Sequence, residues 1–423
     1  MGLYDIICVG SNTVDVFVKT DTEAVSLHYK IKREKGFVDK EKLSLAYPVG
    51  EKILINHLEF QTGGGGTNTA VAFSRLGLRT GYLGKIGEDD NGARIFASLK
   101  QEKVDFLGTL GETSGYSVIL DSLYEDRTIL AFKGCNDDLS FKELDLGSLK
   151  TKWFYFSSMM GESLKTMKKL AGFAARNKIR IAFNPANYLA EAGVREIEEI
   201  LKASNVLILN KEEAELLSYK KTVEESLLFL KKYAKDYVVI TDGSNGAYFF
   251  DGEKIYHAKP DPSIKIVETT GAGDGFASGF IGFLVYGEKL EKALKAGFIQ
   301  AESVIQSYGS KNKLLSKKEL LGKIARDKRK IVVSSLDKNY VPEDKWFLLC
   351  NGKKIRSLND LATEAKTMPM SVFSHHATPQ RNDFALWIQG VFSEAMLAKK
   401  IASAKTPRDL HIILNKHLKK KGG

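Results

Sequence analysis

The chain has 423 residues, of which 43% are hydrophobic and 27% charged, as expected of a globular protein and not of a disordered one. Its three cysteines (Cys8, Cys135 and Cys350) are widely spaced. This spacing argues against a disulfide framework or a thiolate zinc site and favours the cytoplasm. The net charge of +11 arises in the C-terminal third. The sequence has neither a signal-peptide pattern nor an apolar run of about 18 residues, so a membrane is not expected as a partner.

The first 310 residues alternate short β-branched runs with amphipathic helical patterns, which is typical of βαβ units around a mostly parallel sheet. The predicted buried strands are Ile6–Val9, Arg180–Phe183, Val206–Leu209 and Val238–Thr241. The predicted helices are Leu164–Asn177, Glu191–Ala203 and Val223–Tyr233. An α/β fold follows from this alternation.

About fifty residues between the first strand and Gly63 depart from this rhythm. Apolar and polar residues alternate there, as at Ile53, Ile55, Leu58 and Phe60, which predicts antiparallel strands apart from the main sheet. We interpret residues 17–62 as a lid. A surface hairpin that does not move is the alternative.

The C-terminal third has a different pattern. Residues 311–330 predict a basic amphipathic helix. We divide the chain into a large domain at 1–325, a basic linker at 326–345 and a small α-rich domain at 346–423. That small domain is expected to contain a strand at Trp346–Cys350, a helix capped by Ser357 and a core built around Phe384 and Trp387. The adjacent His375 and His376 are expected to be core or surface residues, because neighbouring helical side chains point about 100° apart.

The strongest motif is ETTGAGDG at residues 268–275, followed by an apolar helical pattern. Small residues at 271–273 allow backbone N–H groups to converge where a helix begins, and such an end favours anions. A carboxylate there would repel a phosphate held in a simple cradle. Asp274 fits better as an acceptor of a proton from a substrate hydroxyl. A helix cap is the alternative role for Asp274.

A second motif, GGGGTNTAVA at residues 63–72, follows the lid segment. Its glycines allow close backbone approach to a ligand. Asn68 can donate and accept hydrogen bonds to hydroxyls. A flexible turn with Asn68 as its cap is the alternative.

The two motifs together resemble those of the ribokinase-like (PfkB) carbohydrate kinases, which carry GG-x-x-x-N early and D-T-x-G-A-G-D late. The resemblance covers about residues 3–315. It implies a three-layer α/β/α sandwich with a mostly parallel sheet and a small β lid, to which this chain adds a mainly helical C-terminal domain. The tail itself resembles a small uncharacterised domain that is appended to various archaeal and bacterial proteins.

By this resemblance, several residues acquire expected roles. Asp15, Gly63, Gly64 and Asn68 would bind a sugar. The N-x-x-E motif at residues 210–213 would order magnesium and phosphates, with Glu213 acting on the metal through water. The nucleotide-binding residues would be Asn210, Thr241, Gly243 and Gly246.

The resemblance also implies a reaction. A primary hydroxyl of the sugar would attack the γ-phosphate of ATP with Asp274 as its base and Mg²⁺ as the cofactor. The amides of Gly271, Ala272 and Gly273 would form an anion hole for the transferred group. Two positions depart from the family pattern. Glu268 replaces the usual Asp, which leaves activation by a monovalent cation open, and Thr13 replaces the Asn of ribokinases, which weakens a pentose assignment.

Two alternatives to a sugar kinase stay open. The acceptor is a sugar or, in a close sibling of the same family, a nucleoside. A non-catalytic protein that senses a sugar or a nucleotide, with the tail as effector, is a hypothesis from another class. A homodimer formed through the lid is a further prediction. Nucleic acid is not expected as a partner, because the basic stretch 311–330 lacks interleaved aromatic residues.

Overall fold

A computed structural model describes residues 2–19, 24–33, 36–45, 47, 49–121, 127–335, 341 and 345–421. The chain divides into two compact units, one made of residues 1–252 and 256–333 and the other of residues 253–255 and 334–423. Within the described ranges, no helix combines the length and the apolar character that crossing a bilayer requires.

In chain order the strands are β1 (Tyr4–Val9), β2 (Thr13–Lys19), β3 (Ala24–Arg33), β4 (Gly36–Leu45), β5 (His57–Gly63), β6 (Thr80–Leu83), β7 (Lys85–Gly87), β8 (Asp105–Phe106), β9 (Thr109–Gly111), β10 (Tyr116–Asp121), β11 (Arg127–Phe132), β12 (Thr151–Phe156), β13 (Arg180–Phe183), β14 (Val206–Asn210), β15 (Tyr237–Thr241), β16 (Ala247–Phe250), β17 (Lys254–Ala258), β18 (Val332–Ser335), β19 (Phe347–Leu348) and β20 (Lys354–Ile355). The helices are α1 (Gly65–Arg75), α2 (Asp90–Gln101), α3 (Gly161–Arg176), α4 (Asn187–Ala192), α5 (Val194–Ala203), α6 (Lys211–Ser218), α7 (Val223–Lys231), α8 (Ala272–Val285), α9 (Leu290–Val304), α10 (Lys317–Ile324), α11 (Leu358–Ala365), α12 (Met370–His376), α13 (Asp383–Phe392), α14 (Ala395–Ala402) and α15 (Pro407–Lys421).

The main sheet follows the order β18-β17-β16-β15-β14-β13-β12-β1-β6-β8. Its centre is parallel, since β1 pairs in parallel with β6 and β12, and β12 to β15 continue in the same direction. The β15–β16 pair is antiparallel. The four strands predicted from apolar runs all lie in the parallel part, so the predicted α/β fold is confirmed.

Both faces of this sheet are covered, as a parallel sheet requires. Ile6 and Cys8 on one face belong to the same buried cluster as Phe73 of α1 and Phe280 of α8. The intervening residue Ile7 is also buried and points to the opposite face. On that side α3, α6 and α7 contact β13, β14 and β15. The predicted three layers are therefore present, although the helix predicted at Glu191–Ala203 is two helices separated at Gly193.

The small β layer contains more strands than were predicted for the lid segment at residues 17–62. A four-stranded sheet has the order β11-β10-β2-β5, and β3 and β4 form a separate antiparallel pair. Strands β10 and β11 come from residues beyond 17–62, which the sequence pattern did not indicate. Residues 20–23, 34–35, 46 and 48 of the predicted lid lie outside the described residues.

The second unit is mainly helical, as predicted. Its core joins residues of the β19–β20 hairpin to residues of helices α11 to α15, including Phe384, Trp387 and Ile388. The predicted strand at Trp346–Cys350 is reduced to Phe347–Leu348. The predicted cap is confirmed, because the Ser357 side chain accepts the backbone N–H of Asp360.

The structure brings Cys350, His375 and His376 together, with ligand-type atoms within 4.8 Å of one another. Both ring nitrogens of His376 already have partners. One accepts the backbone N–H of Cys350 at 2.9 Å, and the other lies 3.2 Å from the Asp383 carboxylate. His376 is therefore a satisfied core histidine, which agrees with the sequence-based expectation.

The predicted basic helix at 311–330 is wrong over most of its length. Helix α10 covers only Lys317–Ile324 and begins at Ser316, whose side chain forms a capping box with Glu319. This cap starts the helix and leaves Lys311 in the preceding turn. Within the stretch 326–345, Val332–Ser335 is a strand, and residues 336–340 and 342–344 lie outside the described residues.

Candidate functional site

Helix α8 begins at a backbone conformation that requires glycine. Its cap, Gly271, has φ of 78°. A Cβ atom at this position would lie 2.5 Å from the Cβ of Ser310 and 2.7 Å from its Cα. Both the left-handed backbone and the close approach of Ser310 therefore exclude a side chain at residue 271.

Asp274 lies in the first turn of α8 and is joined to the glycine-rich motif. Its Oδ2 accepts a hydrogen bond of 3.0 Å from Nδ2 of Asn68, which is a buried residue of α1. Burial raises the pKa of Asp274 to about 6, while the Asn68 hydrogen bond and the positive charge of Lys311 oppose this rise. Asp274 is thus a carboxylate poised to exchange a proton near neutral pH.

The amides at the start of α8 differ in their availability. The Ala272 N–H donates to the Thr269 carbonyl oxygen at 3.2 Å. Among the described residues, the N–H groups of Gly271 and Gly273 have no hydrogen-bond partner. Of the three amides predicted to form an anion hole, these two can therefore bind an anion without breaking a hydrogen bond.

Strands β2 and β5 bring Asp15 beside the glycine-rich motif. In their antiparallel register Thr13 faces Gly63 and Asp15 faces Gln61. A Cβ atom on Gly63 would lie only 1.8 Å from Oδ2 of Asp15. The glycine therefore makes room for the Asp15 carboxylate, and the next residue, Gly64, caps α1.

The Asp15 carboxylate is largely buried and has hydroxyl neighbours. Thr13 donates to its Oδ1 at 2.8 Å. Burial raises the pKa of Asp15, and the hydrogen bonds from Thr13 and Ser117 and the charge of Lys311 oppose this rise, whereas the charge of Glu268 adds to it. Each oxygen of a carboxylate can accept more than one hydrogen bond, so Asp15 can still accept one from a ligand.

Several buried polar atoms near Asp274 lack partners in the described part of the chain. They include Oδ1 of Asn68, Oγ of Ser157 and Oγ1 of Thr270. A Cβ atom on Gly65 would lie 3.2 Å from Ser157 Oγ and 4.0 Å from Asp274 Oδ1. The serine hydroxyl and the carboxylate therefore lie close to the same side of Gly65. Buried polar atoms are normally hydrogen-bonded, so this cluster is suited to a polar ligand. No sequence motif singled out Ser157.

The predicted magnesium residues form a helix cap. The Asn210 side chain accepts the backbone N–H of Glu213 at 2.8 Å, and Glu213 accepts the backbone N–H of Asn210 at 2.9 Å. Burial raises the pKa of Glu213 to about 7; the backbone hydrogen bond from Asn210 opposes the rise and the charge of Glu212 adds to it. N-x-x-E is also a capping-box pattern, which the sequence interpretation did not consider.

Asn210 and Thr241 end neighbouring parallel strands and are register partners. A cavity of about 340 Å³ beside them is also lined by Asp242 and Gly243. Gly246 closes the following turn, where its carbonyl oxygen accepts the Asp242 N–H at 2.7 Å. The predicted nucleotide-binding residues therefore gather at one place on the carboxyl edge of the sheet, where α/β folds bind ligands.

The candidate site thus consists of two groups. Asp15, Gly63, Asn68 and Asp274 lie together near β1, whereas Asn210 and Thr241 end β14 and β15. Strands β12 and β13 separate β1 from β14, which corresponds to roughly 14 Å at the usual strand spacing. No hydrogen bond between described residues joins the two groups.

Lys311 and Glu268 carry charges that act on the group formed by Asp15, Gly63, Asn68 and Asp274. The Lys311 ammonium donates to Oγ1 of Thr62 at 2.6 Å, next to Gly63. Burial lowers the pKa of Lys311 to about 8, and the charges of Asp15 and Asp274 are among those that oppose this shift. Glu268 accepts the backbone N–H of Gly309 at 2.8 Å. Lys311 was not among the predicted site residues, because the sequence pattern placed it in a basic amphipathic helix.

Known proteins resemble this chain in sequence and in fold. An uncharacterized sugar kinase of Archaeoglobus fulgidus is 30% identical over 254 residues, which cover 58% of this chain and 98% of the archaeal protein. A ribokinase of Lactococcus lactis is 29% identical over 282 residues, or 65% of this chain and 89% of the ribokinase. The nucleoside kinase of Methanocaldococcus jannaschii has a similar fold, with a TM-score of 0.61 and 22% identity over 77% of this chain and all of that one.

The family model described as pfkB family carbohydrate kinase matches residues 38–317. This range includes both glycine motifs, the N-x-x-E segment and Lys311. With the predicted fold also present, the chain belongs to the pfkB family of carbohydrate kinases.

Proposed function

We propose that this protein transfers the γ-phosphoryl group of ATP to a hydroxymethyl group of a sugar, with Asp274 as the base. The hydrogen bond between Asn68 and Asp274 carries this proposal. It joins the two family motifs across 206 residues of sequence and holds a carboxylate of raised pKa at the start of a helix. A protein that only binds a sugar has no need of such a base.

On the acceptor side, Asp15, Gly63, Gly64 and Asn68 would hold the sugar. Asp15 and Oδ1 of Asn68 can accept hydrogen bonds from hydroxyl groups, and Asn68 fixes the orientation of Asp274. The orphaned atom Asn68 Oδ1 supports this role, since a sugar hydroxyl would supply the donor that it lacks.

On the donor side, Asn210, Thr241, Gly243 and Gly246 would bind ATP. Mg²⁺ would be held through the oxygen of Glu213 that the capping box does not use. The capping box uses Oδ1 of Asn210 and Oε2 of Glu213, which leaves Oε1 of Glu213 without a hydrogen-bond partner among the described residues. This arrangement favours contact between Glu213 and the metal through water, which Mg²⁺ retains readily. When bound, Mg²⁺ would offset negative charge on the phosphate oxygens.

The proposed chemistry is a single displacement. Asp274 accepts the proton of the sugar hydroxyl as its oxygen bonds to the γ-phosphorus, and the bond to the bridging oxygen of ADP breaks. The free N–H groups of Gly271 and Gly273 would stabilise charge on the transferred group, with Ala272 fixing the turn between them. The products are a sugar phosphate and ADP.

A panel of acceptors tests this function. Purified protein, ATP and Mg²⁺ are incubated with hexoses, pentoses, sugar acids and nucleosides, and ADP formation is measured with and without a chelator and with or without potassium. We expect chelator-sensitive turnover of at least one sugar. If only nucleosides are phosphorylated, the acceptor is a nucleoside and not a sugar. If no compound of the panel is phosphorylated, a sensing protein with the tail as its effector is favoured.

The four-stranded lid sheet is a proposed contact between two copies of the chain. Leu58 and Phe60 of β5 and Leu130 and Phe132 of β11 are half-exposed apolar residues on its two edge strands. Pairing of two such sheets would remove this apolar surface from water. Sedimentation of the wild type and of the Leu130→Asp variant tests this, and a wild-type monomer at all concentrations would exclude the contact.

A further inference from the structure

A cavity of about 490 Å³ lies beside β17 and β18, the last two strands of the main sheet. One wall consists of residues 257–262, at the end of β17, and the other of residues 327–330 and 332, which lead into β18. All of these residues belong to the first unit, and none belongs to either group of the candidate site. The volume lies within the range of roughly 300–1,000 Å³ that is usual for small-molecule sites.

A buried ion pair between Arg329 and Glu302 of α9 holds the two walls. Nη2 of Arg329 donates to both carboxylate oxygens, at 2.8 and 3.0 Å, and the two side chains are only 6% and 9% exposed. Glu302 also accepts the backbone N–H of Asp261, in the other wall, at 2.8 Å. The guanidinium lies over the ring of Phe298, 4.3 Å from its centroid. Both walls are therefore fixed to the same helix.

One nitrogen of Arg329 is not used by these contacts. Nη1 is buried and has no hydrogen-bond partner among the described residues. A buried donor is normally paired, because leaving it unpaired costs free energy. Since Arg329 lines the cavity, a ligand that carries an acceptor atom is suited to pair with Nη1.

The cavity also has a cationic rim. Three of its lining residues are exposed lysines, and none of them has an ion-pair or hydrogen-bond partner in the described part of the chain: Lys259, Lys328 and Lys330. Lysine is a common partner of phosphate groups. The rim therefore favours an anionic ligand.

The two acidic residues of the lining are already engaged. The carboxylate of Asp327 lies 3.9 Å from the Lys295 ammonium and accepts the backbone N–H of Arg329 at 3.0 Å. The carboxylate of Asp261 accepts the N–H and the hydroxyl of Ser263, at 2.9 and 2.7 Å. The positive charge of the rim is thus not neutralised by ion pairs with these two acids.

We propose that this cavity binds an organic phosphate, whose phosphate group contacts the three lysines while its organic part lies deeper and accepts a hydrogen bond from Arg329. The remaining walls suit an organic part, since they include the apolar residues Ala258, Pro260, Pro262 and Val332. A bare phosphate ion would use only the lysines. This site is additional to the sites proposed for the sugar and for ATP, and its ligand is either a sugar phosphate or a nucleotide.

Calorimetry with the full-length protein tests the site. The ligands are a hexose phosphate, ADP and inorganic phosphate, each added in the presence of Mg²⁺ and of a saturating non-hydrolysable ATP analogue that occupies the donor site. We expect at least one of the two esters to bind, more tightly than inorganic phosphate and less tightly at high salt. The ester that binds more tightly tells whether the ligand is a sugar phosphate or a nucleotide.

Two variants locate this binding in the cavity. The double variant Lys259→Met/Lys328→Met should raise the Kd of the ester roughly 3- to 30-fold, as for the loss of two exposed ion pairs. Arg329→Lys keeps a cation beside Glu302 but removes Nη1, and should raise this Kd roughly 2- to 10-fold, as for the loss of one hydrogen bond.

The matched control is Lys318→Met/Lys323→Met, which removes the same charge from exposed positions of α10 outside the cavity. Its Kd should stay at the wild-type value. An equal rise in the control would mean that only the net charge of the protein matters, and the inference would then be wrong.

Competition with ATP is the most severe test, because the cavity adjoins the turn that is proposed to bind ATP. Nε2 of His257 lies 2.8 Å from the Asn245 carbonyl oxygen. If the ATP analogue abolishes the binding of both esters, the cavity belongs to the donor site and the inference is wrong. It is also wrong if neither ester binds, or if inorganic phosphate binds as tightly as they do. No turnover is measured, so these results do not depend on whether the protein is a kinase.

Discussion

The side-chain amide of Asn68 donates a 3.0 Å hydrogen bond to the carboxylate of Asp274, which lies 206 residues later in the chain. Asn68 lies in the first turn of α1, within the glycine-rich motif, and Asp274 lies in the first turn of α8. This contact fixes where the proposed base lies relative to the proposed sugar site. It also makes the protonation of Asp274 sensitive to Asn68.

Replacing Asp274 by Asn should remove the proton acceptor while keeping the size of the side chain. We expect kcat to fall roughly 10²- to 10⁴-fold, the usual contribution of a general base. ATP binding, measured by calorimetry, should be unchanged. The control is Asp145→Asn at an exposed position far from α8 in sequence, which should keep full activity. An Asp274→Asn variant with wild-type kcat would exclude the mechanism.

The acid side of the pH–rate profile should depend on Asn68. Because the pKa of Asp274 is raised to about 6, the fraction of ionised base, and with it kcat, should increase as the pH rises through this value. Asn68 donates to the charged carboxylate and lowers this pKa. In Asn68→Ala the acid limb should therefore move to higher pH.

This limb is measured as kcat at saturating acceptor, because Asn68 is also expected to bind the sugar and its loss should raise KM. A limb that stays at the same pH in Asn68→Ala would contradict the link between Asn68 and the base. The Ser157→Ala variant removes a neighbouring buried hydroxyl that makes no hydrogen bond to Asp274, and its limb should stay at the wild-type pH.

The sequence predicted the parallel strands because their two buried faces produce continuous apolar runs. Two glycine-containing motifs in the family order indicated Asn68 and Asp274, and the resemblance to the family added Asp15 to the expected sugar site. It did not predict Ser157, since a serine after an apolar strand has no distinctive pattern. The proximity of Ser157 to Asp274 arises only when β12 packs beside β1.

Lys311 was missed for a different reason. The basic stretch from 311 has helical apolar spacing, and only the capping box formed by Ser316 and Glu319 shows where the helix begins. That pattern is readable in the sequence and would have excluded Lys311 from the helix. The direction of the Lys311 side chain was not readable, because it depends on the contact of its turn with Arg75. Strand β10 was missed likewise, since its pairing with β2 is long-range, and β11 joins the sheet by pairing with β10.

At the start of α8, alanine should be tolerated in place of Gly273 and should destabilise the fold in place of Gly271. In Gly271→Ala, the left-handed backbone alone costs about 1–2 kcal/mol in the free energy of unfolding, and the contact of the new Cβ with Ser310 adds to this. In Gly273→Ala, the new Cβ has no atom within 4 Å apart from its chain neighbours and the backbone of its own helix, and helix propensity makes the change neutral or stabilising. Urea unfolding of both variants checks this difference, and equal stability would contradict it.

The stability of the protein should reflect the protonation of Glu213. Its pKa is raised in the folded state from 4.5 to about 7, so the folded protein favours the protonated carboxyl. The contribution of Glu213 to the free energy of unfolding is then largest below about pH 4.5 and is lost as the pH rises towards 7. Relative to Glu213→Gln, which keeps the acceptor for the Asn210 N–H, the wild type should become less stable between pH 5 and pH 8.

Urea unfolding at these two pH values measures the difference, with the exposed neighbour in Glu212→Gln as the control. Glu212→Gln should keep most of the wild-type pH dependence, because burial, and not the charge of Glu212, is the main cause of the raised pKa of Glu213. Identical pH dependence in the wild type and Glu213→Gln would mean that Glu213 titrates alike in the folded and unfolded chains. If Glu213 acts on Mg²⁺ as proposed, Mg²⁺ with ATP should stabilise the wild type more at pH 8 than at pH 5, because only the ionised carboxylate attracts the metal.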